Sequence, residues 1–426
     1  MAEGYLETRK GDGTYVGRTL PDDLLALPED PRMDSRVRPP QLPSHRGQAL
    51  ERLWDQGVYQ KAGLRPFQMD APALDAFPFE LWGRLESRHL DRSAAMNLAY
   101  CDPAGHPPLR EAIAAHLRAH RAMACDPGQI IITHGSRQAL NLAAQVLLDP
   151  GDAAWIEDPV CPDARTAFTC AGAHLVPVPV DEQGLDVAQG EALAPAARLA
   201  YVTPSHQFPL GVTLGLSRRL ELLDWAFRAQ AWIVEDDFDG EFRYAGKPLA
   251  SLHSLDRQAR VIYLGTFSRA LFPGLRLGYM VVPQDLAKAF RSARALADRG
   301  SSLVPQMALT EFFNEGHFQR HLRRMRVVYG ERRNVLVEAI RQSLGHLLSV
   351  RVPDSGLDLV ADLEAGSGDV ALVRQLARGG IELIPLSSLY QRTPSRSGLV
   401  FGFAGFPERS LRAGIGRMVE LLGEPG

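Results

Sequence analysis

Seven short apolar runs constrain this chain more than any other feature: Ile130–Thr133, Ala153–Ile156, Leu175–Val180, Leu199–Thr203, Ala231–Glu235, Val261–Leu264 and Leu277–Val282. Each has the length of a strand rather than a helix. Between them lie stretches with helical periodicity, among them Gln138–Leu148, Arg165–Ala171, Ser217–Ala229 and Leu286–Leu296. Strand, helix, strand at this spacing predicts an α/β fold, a mostly parallel seven-stranded sheet with helices on both faces. Ligands of such sheets lie beyond the carboxyl ends of the strands. After about residue 300 the texture shifts. Helical patterns at Met307–Glu315 and Phe318–Leu344 precede short strands near Leu357–Leu363, Ile381–Pro385 and Leu399–Phe403, with Met418–Leu422 in a last helix. That predicts a smaller α+β domain closing over the sheet edge.

A length of 426 residues is too great for one small core. The regular pattern begins near Leu64, so we expect a large domain over residues 63–300 and the small one over 301–426. Residues 2–15 alternate apolar and polar around Gly11-Asp12-Gly13, the pattern of a hairpin whose turn needs positive φ. Residues 16–62, with Pro21, Pro28, Pro31, Pro39, Pro40 and Pro43, read as a linker in which Glu51–Gln60 could form a short helix. A net charge of −3 offers no general basic field to nucleic acid. There is no apolar run of about 18 residues and no signal-like start, so a cytoplasmic protein without membrane contact is expected. Cys101, Cys125, Cys161 and Cys170 have no paired metal spacing, and no metal site is expected.

The polar motifs follow the predicted strand ends. Tyr263–Tyr279 reads YLGTFSRALFPGLRLGY: a buried strand stops at Gly265, Thr266 and Ser268 offer hydroxyls, and Arg269 and Arg276 flank a Pro273-Gly274 turn. Small hydroxyls and an arginine on a rigid strand end suit a phosphate monoester. Thr133-His134-Gly135-Ser136-Arg137-Gln138 opens a helix, where Gly135 lets the backbone approach an anion. Four further segments are Tyr100–Leu109 (YCDPAGHPPL), Asp158-Pro159-Val160-Cys161-Pro162, Ser205–Gly211 (SHQFPLG) and Glu235-Asp236-Asp237-Phe238.

Taken together these motifs resemble the fold-type I aminotransferases, in the version carried by the MocR branch of GntR-type regulators, over roughly residues 64–420. The resemblance implies a fold-type I aminotransferase-like domain that binds pyridoxal 5'-phosphate (PLP) or a related phosphate ligand. It implies a phosphate cup from Gly135, Ser136, Arg137, Thr266, Ser268 and Arg276, with Arg269 as another cation for the phosphate, and assigns Asp236 to the pyridine nitrogen. It places His206 and Gln207 beside the cofactor ring. Tyr100 would reach the phosphate of a neighbouring subunit, which implies a two-fold homodimer. Residues 1–15 resemble the remnant of a winged-helix wing, without the helix that reads DNA, so no specific DNA binding is expected of this chain alone.

Several positions depart from the family pattern. The family's TFSK carries the Schiff-base lysine where this chain has Arg269. The ring-stacking tyrosine is replaced by Cys161, and the tyrosine facing the phenolic oxygen by Phe238. The substrate-carboxylate arginine would fall near Val400; Arg392 or Arg396 would have to replace it. Transamination needs an amine that links to the coenzyme and then shuttles a proton, and a guanidinium stays protonated. Of Lys10, Lys61, Lys247 and Lys288, Lys247 is the candidate substitute. Three readings stay open. One is an effector-sensing or pseudo-enzyme domain that holds the phosphate ligand without covalent capture and responds to an amino acid or amine. A second is a PLP-dependent aminotransferase with an unusual or mutated lysine. The third is an enzyme with PLP-independent chemistry at His206, Cys161 or Arg269.

Overall fold

The computed structural model describes residues 6–16, 42–44, 47–48, 50–51, 65–90, 101–245, 250–364 and 368–423. Most of the expected linker, all but Glu51 of the short helix expected at Glu51–Gln60, Tyr100, Lys61 and Lys247 lie outside the described residues. The N-terminal unit, residues 1–52, contains the expected hairpin. Strands β1 (Leu6–Arg9) and β2 (Gly13–Val16) pair antiparallel, with Thr8 opposite Thr14. Gly11 and Gly13 sit at φ +90° and +110°, which the turn demands and side chains resist.

Residues 53–426 form the second unit. All seven expected runs are strands of one sheet: β3 (Ile130–Thr133), β4 (Ala153–Asp158), β5 (His174–Asp181), β7 (Leu199–Val202), β8 (Trp232–Asp236), β9 (Val261–Thr266) and β10 (Gly278–Val281). A two-residue strand, β6 (Gly184–Leu185), folds back antiparallel on β5 and makes eight, in the order β3-β10-β9-β8-β7-β4-β5-β6. Two residues carry too little periodicity to be read from sequence. Pairings β4–β5, β4–β7, β7–β8 and β8–β9 are parallel, whereas β10 runs antiparallel to both β3 and β9. Because β10 enters the sheet in reverse, its first residues lie where β3 and β9 end. Gly278 pairs with Thr133 on one side and Thr266 on the other.

Alternation along the strands decides what each face buries. Ile131, Val234, Ile262, Leu264 and Met280 pack with helices Ser136–Leu147 and Pro162–Ala171. The intervening residues Ile130, Ile132, Tyr263, Tyr279 and Val281 join a cluster with helix Pro107–Arg121. Toward the β5 edge, Trp155 stacks on Trp225 of helix Leu216–Arg228, with ring centroids 3.7 Å apart and both rings fully buried. Aromatic pairs of this kind contribute about 0.5–1.5 kcal/mol beyond their buried area.

The second sheet is antiparallel, in the order β11 (Leu348–Val350), β12 (Asp358–Leu363), β14 (Gly398–Gly402), β13 (Ile384–Pro385). The 28-residue helix His317–Leu344 covers it together with helix Glu408–Leu422. The irregular segment from Arg65 to Phe77 also belongs to this layer. Phe67 sits edge-on to Phe401 at 5.2 Å, and the Phe67 carbonyl accepts the Gly402 N–H at 2.8 Å. Asp70 is thereby carried to the end of the large sheet.

Candidate functional site

The carboxyl ends of β3, β4, β8 and β9 open into a cavity of about 490 Å³. Of the residues expected from sequence, Gly135, Ser136, Arg137, Cys161, Asp236, Phe238, Thr266, Ser268, Arg269 and Arg276 line it. Tyr100 lies outside the described residues. The parallel order produces this convergence, since each of these strands ends on the same edge.

The cup lies at the start of helix Ser136–Leu147, whose first amides have no acceptor within the helix. Gly135 precedes it at φ +85°. A side chain at Gly278 would put its Cβ 2.9 Å from Gly135 Cα and 3.0 Å from the Gly265 carbonyl, so glycine keeps the loops after β3 and β9 close together. The Thr266 Oγ1 accepts the Ser268 N–H at 3.2 Å, and Arg276, at φ +51°, donates to the His134 carbonyl at 3.1 Å. Amides, hydroxyls and one guanidinium on rigid ends are a donor set for a phosphate. Arg137 turns aside and pairs its Nε with Asp163 at 2.6 Å.

The acidic run at the end of β8 splits into three directions. Glu235 accepts N–H groups of Leu252 and His253 at 2.8 and 2.9 Å, fixing helix Leu252–Leu255. Asp237 is held by Arg121 and Tyr263. Asp236 faces the cavity: Oδ2 accepts from Tyr201 at 2.9 Å, while Oδ1 is buried without a protein partner among the described residues. Burial raises its carboxyl to about 7, against the pull of Tyr201 and Arg269. A buried acceptor left open to the cavity fits a protonated ring nitrogen. With the cup at the other end, the residues present fit a pyridine phosphate.

Three expected residues have other roles. Arg269 lines the cavity, but its guanidinium is not part of the cup. One terminal nitrogen donates to both Asp239 oxygens at 2.9 and 2.8 Å and to Asp358 at 2.9 Å; the other bonds Asp70. Its Cζ also sits 4.7 Å from the centre of the Phe238 ring. Burial opposes the charge, yet Asp239, Asp70 and Asp358 outweigh it and hold the guanidinium well above its usual pKa. His206 and Gln207 do not line the cavity, which corrects their expected place beside the ring. His206 stands behind Phe238, ring centres 6.3 Å apart, and its Nδ1 meets the Ser355 hydroxyl at 3.1 Å. Gln207 donates to the Pro159 and Phe208 carbonyls at 2.9 and 2.6 Å, tying two loops together. A buried polar side chain must find a partner, and these two find theirs within the protein, one in a hydroxyl and one in backbone carbonyls.

Other positions in the cavity wall were not anticipated. Asp70, Asp163, Met69, Phe208 and Ile384 line it, and Asp239 and Asp358 stand directly behind through Arg269. Asp358 had a legible signal, a charge at the head of an apolar strand. Asp70 had none, because it lies in an irregular segment. Val400 is fully buried in an apolar cluster with Met69, Phe208, Val360, Leu386 and Leu389. Arg396 pairs with Asp362 at 2.6 Å, and neither it nor Arg392 lines the cavity. Lys288 is exposed on helix Ala287–Asp298, and among the described residues no lysine lines the cavity. The Cys161 thiol, half-buried in the cavity wall, is pushed well above its ordinary pKa by loss of solvation and by Asp163 and Asp236, which makes it a poor nucleophile.

With this geometry in place, comparison with known proteins is informative. The sequence model of the family described as Aminotransferase class I and II matches residues 76–409. The chain is 39% identical over 415 residues to "Probable rhizopine catabolism regulatory protein MocR" of Rhizobium meliloti, covering 97% of this chain and 82% of that protein. It is 31% identical over 418 residues to the HTH-type pyridoxine biosynthesis transcriptional regulator PdxR of Corynebacterium glutamicum, covering 96% and 83%. Among solved structures it resembles the α-aminoadipate aminotransferase LysN of Thermus thermophilus, complexed with N-(5'-phosphopyridoxyl)-L-leucine. The TM-score is 0.79 at 27% identity, covering 88% of this chain and 97% of that one.

Proposed function

The chain belongs to the class I and II aminotransferase family, in the branch of MocR-type, GntR-family regulators, and from that premise we propose that it is an effector-sensing domain which holds PLP or a related phosphate ligand without covalent capture. One observation carries the reading: the side chain in the loop just after β9 is Arg269, and three aspartates fix its guanidinium. A guanidinium held this way has no free electron pair to offer a carbonyl carbon. When bound, the coenzyme supplies an electron sink through its ring. This chain's own residues bind and orient it. Ser136, Thr266, Ser268 and Arg276 hold the phosphate, Asp236 keeps a proton at the ring nitrogen, and Phe238 and Cys161 bound the ring space. The two-fold homodimer, with Tyr100 reaching a neighbouring cup, is part of the same proposal.

The experiment is borohydride reduction of the purified protein saturated with PLP, followed by peptide mass mapping. No PLP-derived mass is expected on any peptide, while equilibrium dialysis shows the ligand bound. A reduced adduct on Lys247 or any other residue would overturn the proposal in favour of an aminotransferase with an unusual base. Arg269→Lys is the companion variant, expected to gain the trapped adduct because the cup and Asp236 are intact.

A further inference from the structure

Resting on the reading of this cavity as a phosphate-ligand site, we infer that the molecule it senses beside that ligand is an amine with an apolar body and no carboxylate. The inference follows from where each charge in the cavity is spent. A carboxylate needs an uncommitted cation or a fork of donors. Arg137 is taken by Asp163 and Arg269 by Asp239, Asp358 and Asp70; Arg276 stands in the phosphate cup. At Val400, where the resemblance would place a carboxylate-binding arginine, the wall is a buried apolar cluster. Binding a carboxylate there would remove it from water with no compensating partner among the described residues.

An ammonium group meets the opposite situation. The Asp70 side chain is 57% exposed and lines the cavity, with one of its oxygens engaged by Arg269. Oδ1 of Asp236 is reserved for the ring nitrogen, while behind Arg269 the Oδ1 of Asp358 is buried with no partner among the described residues. Asp70 and Asp239 already outnumber the single guanidinium of Arg269, so the negative charge is in excess. The remaining wall, Met69, Phe208, Phe238 and Ile384, is apolar and suits a hydrocarbon or aromatic body. Acid on one side and apolar surface on the other select an amine over the amino acid that carries the same side chain.

The test is isothermal titration of the protein, pre-saturated with pyridoxamine 5'-phosphate, with three matched probes: phenethylamine, phenylalanine and 3-phenylpropanoate. Phenethylamine is expected to bind at least about tenfold more tightly than either carboxylate, the worth of one uncompensated charge. Asp70→Asn, at an exposed position, is expected to erase that preference while leaving pyridoxamine 5'-phosphate affinity within about twofold. Equal or tighter binding of phenylalanine or phenylpropanoate would overturn the inference, as would silence from all three probes. If pyridoxamine 5'-phosphate itself fails to bind, the phosphate-site reading falls, and this inference falls with it.

Discussion

Arg269 shows how one side chain sets the character of the site. Its charge is buried, and three carboxylates from three separate segments depend on it: Asp70 in the irregular segment from Arg65 to Phe77, Asp239 after β8 and Asp358 on β12. Removing one partner of a buried ion network leaves the others uncompensated, which costs about 3–5 kcal/mol. Arg269→Met is therefore expected to lower unfolding stability by roughly that amount, measured by urea denaturation. A loss under about 1 kcal/mol would mean that water already screens the cluster. Asp236 makes the complementary case. Its open Oδ1 is the acceptor we assign to a ring nitrogen, so Asp236→Asn should weaken pyridoxamine 5'-phosphate binding by about tenfold or more, with affinity for inorganic phosphate unchanged. Equal losses for both ligands would place Asp236 in a merely structural role.

At the scale of elements, the reversed strand β10 organises the site. It enters the sheet between β3 and β9 and brings Arg276 and Gly278 to the edge where the parallel strands end. Gly278 is where three backbones come closest, and a methyl group there would meet Gly135 and Gly265. Gly278→Ala is expected to cost about 1–3 kcal/mol through forced separation of these loops. Phosphate-ligand affinity should fall further than stability alone explains, as read from paired melting and titration experiments. An unchanged affinity would show that the two loops bind independently. Helix Leu216–Arg228, packed under Trp155, contributes none of the residues that line the cavity. A Trp225→Phe change should lower stability while leaving ligand affinity intact.

At the scale of the whole molecule, burial of acids at the strand ends gives an unusual pH dependence. Glu157, Asp236 and Asp358 are each pushed up to about 7 by burial, and hydrogen bonds or Arg269 only partly offset this. Their ordinary values lie near about 4, so the native state holds more protons than the unfolded chain between about pH 4 and 7. Their stabilising contribution is complete below the ordinary range and is lost as pH rises through the raised values. Buried histidines such as His206 and His321, whose values burial lowers, pull the other way, so the acids are read by difference: from pH 5 to pH 8 the ligand-free protein should lose Tm relative to Asp236→Asn in calorimetry. Parallel Tm profiles for the two proteins would mean that Asp236 is ionised in the native state throughout this window.

The sequence by itself determined the sheet, because each strand buries its own side chains and announces it as a short apolar run. It also made legible the residues proposed for the cup, since glycine, hydroxyls and helix starts act through backbone geometry that is local to each motif. It could not determine where long side chains go. Arg269 belongs to the same motif as Ser268, yet its guanidinium reaches past the cup to aspartates 30, 89 and 199 residues away in the chain. His206 and Gln207 lie in a recognisable motif, but buried partners turn them from the cavity. Tertiary structure alone decided how the charges were paired, because the electrostatic energy of a buried ion depends on distance in space and on exclusion of water, and neither quantity is written in the order of residues.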